Sequence, residues 1–265
     1  MAYLAKSNLV LPQREPGSRK GQNGRVLVIG GSEDYVGAVV LACKSIMRTG
    51  VDWVTAAVPE KVGWCVNSMV ADVVVKKFSG QHFGKNNVKE IVRLEKDFDV
   101  VLLGTGIGLM SAEFVRNYLK LSGARKVIDA DALKFVDINL VQGAILTPHK
   151  KEFEYLLYNS SITKRELKSK LGSNVVLLKG KVDRIITENK SFYNRTGNEG
   201  MTKAGTGDVL AGMVASFYAQ NKNALEAAKL GAFYNGKVGD ALKEISGYGF
   251  LASDMVEFIP GVVFK

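Results

Sequence analysis

The sequence predicts an α/β protein, a three-layer α/β/α sandwich in which helices cover both faces of a mostly parallel central sheet. Three observations carry that prediction. Six short segments, at 25–30, 53–58, 99–104, 126–131, 143–148 and 174–180, are β-branched and apolar throughout, as strands buried on both faces are. Stretches with helical spacing of apolar residues lie between them, so strand and helix alternate along the chain. Polar, glycine-rich turns follow the strands on what would be one common edge, where open parallel sheets bind their ligands.

Taken in order, the first strand RVLVIG (25–30) runs into the turn GGSEDYVGA and the helical stretch GAVVLACKSIMRTG (37–50). WVTAAV (53–58) is the second strand. DVVLLG (99–104) is the third, followed by GTGIG and the helix SAEFVRNYLKLSG (111–123). KVIDAD (126–131) leads into DADAL, GAILTP (143–148) into TPHKKE, and NVVLLKG (174–180) into KGKVD. RIITENKSFYNRTG reads as a hairpin with a polar turn at ENK, and from Ala204 the pattern is helical almost to the end. There is no repeat, low-complexity tract or Pro/Gly-rich linker, so residues 1–265 are expected to form one domain.

Composition limits the partners. With 265 residues, 46% of them hydrophobic, the chain can bury a large core. A net charge of +10 favours an anionic partner without choosing among nucleic acid, membrane and phosphorylated small molecules. No apolar run approaches the roughly 20 residues of a membrane span, and residues 1–24 lack the order of a secretion signal, which makes a cytoplasmic protein the expectation. Cys43 and Cys65 are too far apart to form a metal pair, and His82 and His149 are the only histidines, which disfavours a zinc site. The aromatic residues do not interleave with basic runs, so nucleic acid is not an expected partner, and without an apolar span neither is a membrane.

Known nucleotide motifs fail. GTGIGL carries two glycines of a dinucleotide fingerprint but has Leu109 at the third, and GSEDYVGA has Ala38 where a P-loop has lysine. The stretch GMTKAGTGDVLAGMVASFYA (200–219) is more informative. Gly205, Thr206 and Gly207 open a helix, whose free N–H groups and dipole favour an anion such as phosphate. Asp208 at the same end would be held ionised by those amides and would accept the proton of a substrate hydroxyl, which makes phosphoryl transfer the chemistry of the site. The alternative is that Asp208 merely caps the helix.

These residues resemble the ribokinase-like superfamily through GTGD (205–208). They resemble the ADP- or ATP-dependent NAD(P)H-hydrate dehydratases through LPQREPGSRKGQNGRVLVIGGS (11–32), YVGAVVLACKSIMRTG (35–50), GTGIG (104–108), DADAL (129–133), LTPHKKEFEYLL (146–157), LLKGKVDRII (177–186), NRTGNEGMTKAGTGDVLAGM (194–213) and LASDMVEFIP (251–260). The resemblance implies a ribokinase-like fold and an enzyme that restores hydrated NADH and NADPH. The C6 hydroxyl is phosphorylated by ADP or ATP, with Mg²⁺, and phosphate is then eliminated. Residue by residue, it implies Asp208 as base and the amides of Gly205, Thr206 and Gly207 as the anion hole. Lys179, Gly180, Lys181, Val182, Asp183 and Gly207 would bind the nucleotide. Ala38, Gly106, Gly108, His149 and Asp208 would bind the hydrated cofactor, and Asn198 would orient phosphate or metal. It also implies a homotetramer, with VVLACKSIM as a candidate interface or else ordinary packing, and a separate epimerase as functional partner. Lys20, Lys150, Lys151, Lys179 and Lys181 would steer the anionic substrates. His149 has a second reading, as the cap of the helix that follows it. Lys150 and Lys151 stand where the family usually has Pro-Gly, Ala204 where glycine is common and Glu199 where proline is common. The main rival is a ribokinase-like small-molecule kinase that phosphorylates without elimination.

Overall fold

The structure is a computed structural model and describes residues 2–265. Its strands are β1 (Ala2–Tyr3), β2 (Arg25–Ile29), β3 (Trp53–Pro59), β4 (Val74–Phe78), β5 (Val100–Leu103), β6 (Lys126–Ile128), β7 (Ile145–Leu146), β8 (Val175–Leu178), β9 (Asp183–Ile186) and β10 (Ser191–Asn194). They form one sheet in the order β1-β10-β9-β8-β7-β6-β5-β2-β3-β4. Only β9 runs against its neighbours, as the hairpin at ENK requires. The four residues Val26–Ile29 of β2 and all of β5 are fully buried, which is why those strands read as unbroken apolar runs.

The helices are α1 (Val36–Arg48), α2 (Glu60–Met69), α3 (Val88–Leu94), α4 (Ala112–Leu121), α5 (Lys150–Asn159), α6 (Leu167–Leu171), α7 (Thr206–Asn221), α8 (Ala224–Ser246) and α9 (Ala252–Val263). α1, α2, α7, α8 and α9 pack on one face of the sheet around Val39, Met213, Phe217, Leu230 and Met255. α3 to α6 pack on the other around Ile91, Phe114, Leu156 and Leu167. This is the three-layer sandwich that the sequence predicts. α7 is apolar all round because it is covered all round, with Val209 to Ala219 buried between the sheet, α1 and α8.

Two expectations change. The VVLACKSIM segment is α1, whose Val39, Val40, Ala42, Cys43 and Ile46 are buried against α7, α9 and β3, so its apolar face is consumed inside the chain rather than left for a second copy. Lys20 lies over the ring of Trp53, its Nζ 4.4 Å from the ring centroid, at the amino-terminal end of β3. That is the sheet edge opposite the ligand-binding one, so Lys20 is not among the steering cations. No helix among the described residues is long and apolar enough to cross a membrane.

Candidate active site

α7 begins where the chain turns sharply at Gly205, with φ +90°. An L side chain is strained there, and a Cβ would stand 2.6 Å from Leu41 Cδ1 and 2.9 Å from Ala252 Cβ, so α1 and α9 leave room only for glycine. Thr206 is buried, and its hydroxyl donates to the carbonyls of Met201 (2.8 Å) and Lys203 (2.9 Å), which pins the helix start to the preceding loop. Its N–H is directed at the Lys203 carbonyl at 3.4 Å and the Asp208 N–H at its own carboxylate, leaving Gly207 as the first-turn amide without an acceptor in the helix. Of the expected anion-hole residues Gly205, Thr206 and Gly207, Thr206 therefore holds the turn with its N–H and hydroxyl, and Gly207 keeps a free amide at the helix start.

Lys179, at the end of β8, reaches this helix start. Its Nζ would be 3.7 Å from a Cβ placed on Gly207, and it pairs with Asp129 Oδ1 at 2.9 Å and approaches Glu152 Oε2 at 3.9 Å. Asp129 follows β6, is 2% exposed, and accepts a second bond from the Thr147 hydroxyl at 2.7 Å. Glu152 belongs to the first turn of α5, where its carboxylate accepts the His149 N–H at 2.8 Å. The Lys179 N–H donates to the Pro148 carbonyl at 2.9 Å, which closes the ends of β7 and β8 around the same spot. The ends of β6, β7 and β8 and the start of α7 therefore bring Lys179 together with Asp129, Glu152 and Asp208 in one region of the sheet edge.

That crowding sets the electrostatics. Burial pushes the Asp208 carboxyl up to about 7, with the nearby Asp129 charge acting in the same direction and Lys179 opposing it. The expectation that the helix start keeps Asp208 firmly ionised is thus weakened, because burial and the neighbouring carboxylates outweigh Lys179 and the Asp208 amide and leave the group ionising near neutrality. Glu152 is likewise raised, by burial first and by Asp129, against the pull of Lys179. Burial works against the charge on Lys179, but Asp129 and Glu152 outweigh it and hold the ammonium above its ordinary range. Asp129 and Glu152 were not singled out as site residues in the sequence, although DADAL and TPHKKE contain them. An acid after a strand or in a first helical turn is ordinary, and only their convergence on Lys179 marks them.

The other expected residues fall into two groups. In the nucleotide-loop segment, Asp183 accepts from the Gly180 N–H at 3.0 Å and from Asn194 Nδ2 at 3.1 Å, fixing the β8–β9 turn, while Lys181 and Val182 face solvent. On the other side of α7, Gly106 has φ +64°, and a Cβ on it would stand 3.0 Å from Ala38 Cβ and 2.6 Å from the Tyr35 carbonyl. Gly108 lies against Ser32 in the same way, at 3.4 Å. Ala38, Gly106 and Gly108 are therefore brought together, with backbone exposed in place of side chains. His149 caps α5, Nδ1 accepting from the amides of Lys151 (3.1 Å) and Glu152 (3.2 Å), and Nε2 lies 3.4 Å from Glu152 Oε1. Asn198 accepts from the Gly200 N–H at 3.0 Å and donates to Asp240 Oδ1 at 3.3 Å, so it braces the loop before α7. Among the described residues no three His, Cys, Asp or Glu side chains converge as a metal cage. The acids at hand, Asp129 and Glu152, fit a Mg²⁺ that takes most of its ligands from phosphate oxygens and water.

Residues 26–261 match the sequence profile of the family described as NAD(P)H-hydrate dehydratase. The chain belongs to that family. Among its relatives, the ADP-dependent (S)-NAD(P)H-hydrate dehydratase of Natrialba magadii is 32% identical, over 91% of this chain and 93% of that protein. The bifunctional NAD(P)H-hydrate repair enzyme of Methanothermobacter thermautotrophicus is 37% identical over 96% of this chain but only 52% of its own length, so this dehydratase-family chain spans about half of that curated relative. The ADP/ATP-dependent NAD(P)H-hydrate dehydratase of Bacillus subtilis, co-crystallised with ATP and Mg²⁺, superposes with a TM-score of 0.80 at 25% identity, over 95% of this chain and 93% of that one.

Proposed function

We propose that the chain dehydrates hydrated NADH and NADPH by ADP- or ATP-dependent phosphoryl transfer. The observation that carries this reading is the meeting of Asp208, the first-turn amides of α7 and Lys179 at one point of a dehydratase-family fold. Asp208 takes the proton from the C6 hydroxyl as its oxygen attacks the terminal phosphoryl group, and the nucleotide leaves with the bond electrons. Amides of Gly205 and Gly207 stabilise charge on the transferring group, with Thr206 holding the turn. Lys179 holds the nucleotide phosphates, the backbone of Gly180 to Asp183 borders the nucleotide, and Ala38, Gly106, Gly108 and the ring edge of His149 border the dihydronicotinamide side. Phosphate then leaves C6 while the adjacent carbon loses a proton, restoring the ring double bond. Mg²⁺, held beside Asp129 and Glu152, supplies charge neutralisation when bound.

Residues 1–265 act in this reading as one ribokinase-like domain in the cytoplasm. A homotetrameric assembly and a separate epimerase supplying the reactive epimer belong to the same proposal. The fate of the phosphoryl group separates it from a kinase of the same fold. In a single turnover with terminally labelled ATP, all label ends as inorganic phosphate; a stable phosphorylated organic product would make the protein a kinase.

The pH dependence follows from the raised carboxyl. With the base ionising at about 7 in the free protein, kcat/KM rises with pH through that value and levels above it. Asp129→Asn removes a negative neighbour, so the same limb moves to lower pH. A limb that stays in place would mean that Asp129 does not act on the base.

A further inference from the structure

Asn194, the last residue of β10, is 1% exposed and stands opposite Asp183, the first residue of β9, in their antiparallel pair. Both ends of its side-chain amide are engaged. Nδ2 donates to Asp183 Oδ2 at 3.1 Å and to the Ala232 carbonyl of α8 at 3.0 Å. Oδ1 accepts from the Thr196 N–H at 3.3 Å and lies 2.9 Å from the Thr196 hydroxyl. The carboxylate and the carbonyl only accept, so the amide fits one way round, and a carboxyl of the same shape could not supply both donors.

Two pinned segments meet at this residue. On one side is the β8–β9 turn, where Asp183 Oδ1 takes the Gly180 N–H at 3.0 Å. On the other runs the loop to α7, in which the Gly197 N–H and Asn198 Nδ2 donate to Asp240 Oδ1 at 3.2 and 3.3 Å, and the Thr206 hydroxyl reaches back to Met201 and Lys203. Thr196 itself is pressed onto α8, since a Cβ on Gly236 would stand 2.1 Å from its hydroxyl oxygen. Among the described residues, Asn194 is the side chain that bonds to both segments.

We propose that Asn194 is a positioning residue of the nucleotide site, setting the β8–β9 turn through Asp183 at a fixed separation from the loop and helix start that hold the transferring phosphoryl group. The inference rests on the reading in which that turn borders the nucleotide. Asn194 touches no substrate; it spares the nucleotide the cost of ordering the turn and the loop against each other on binding.

Asn194→Asp separates the two arms. The new carboxyl still accepts from Thr196 but faces Asp183, whose own carboxyl is raised by burial against its bonds to Asn194 and Gly180 and against the charge of Lys179, the ionised group that acts on it. Two carboxyls so placed stay together only by sharing a proton, which neutral and basic solution removes. Calorimetric titration with ADP is expected to show affinity weakened roughly tenfold or more against wild type near pH 8 and a much smaller deficit near pH 5. Near pH 8 the nucleotide KM rises while the maximal rate stays within a few fold of wild type. Exchange of the Gly180 amide, compared with wild type at each pH, is faster near pH 8 and close to wild type near pH 5. Wild-type ADP affinity in the variant near pH 8, or a deficit of equal size at both pH values, overturns the proposal. If wild type itself bound no ADP, the nucleotide reading would fall, and the Gly180 exchange would then decide the hold of Asn194 on the turn by itself, unaltered exchange near pH 8 overturning it.

Discussion

Asp208→Asn is expected to lower turnover by about two to four orders of magnitude while leaving the protein folded and more stable above neutral pH. The loss is that of a general base with its shape kept. The gain in stability comes from the same site. The folded carboxyl holds its proton up to about 7, whereas its ordinary value is 3.8, so between those values the folded state binds more protons than the unfolded one. Stability contributed by this group is present below the lower value and is lost as pH rises through the upper one. Asparagine carries no such penalty, so the variant gains roughly 1–4 kcal/mol at pH 8, shrinking toward pH 4. Initial rates and thermal midpoints at the two pH values check both halves. Turnover within a few fold of wild type would reduce Asp208 to a helix cap.

Lys179→Ala has the opposite balance. It leaves Asp129 and Glu152, both buried, beside Asp208 with no cation among them. Breaking a buried pair by removing one partner costs about 3–5 kcal/mol, and the side chain of Lys179 is only 21% exposed. Proton uptake by the carboxylates offsets part of that loss, so the destabilisation grows with pH. ADP affinity falls more than the maximal rate, since the ammonium is proposed to serve the nucleotide phosphates rather than the base. Calorimetry with ADP and denaturation at two pH values measure the two effects separately. Unchanged affinity with lowered stability would make Lys179 a purely internal counter-ion.

The fold was legible where burial is two-sided. β2, β3, β5, β6, β7 and β8 read as continuous apolar runs because helices cover both their faces. β4 was missed, as its sequence VVKKF places two lysines on an edge strand that is only half covered. β1 has two residues and forms only because β10 lies beside it, so it has no local signal to read. At the site, Gly205 and Asp208 stood out because a helix start with glycine has few other uses. Asp129 and Glu152 did not, since their significance lies in distances to a lysine 50 and 27 positions away. The near-neutral ionisation of Asp208 was illegible for the same reason. A helix dipole is visible in sequence, whereas the number of carboxylates converging on it is not.

The central claim is tested most directly by incubating the purified protein with chemically hydrated NADH, Mg²⁺ and either ADP or ATP, following dihydronicotinamide absorbance and released phosphate together. The account predicts that both appear in equal amounts, only when nucleotide is present, and that Asp208→Asn abolishes them together. Absorbance regained without nucleotide, or nucleotide consumed with no absorbance regained, would contradict it.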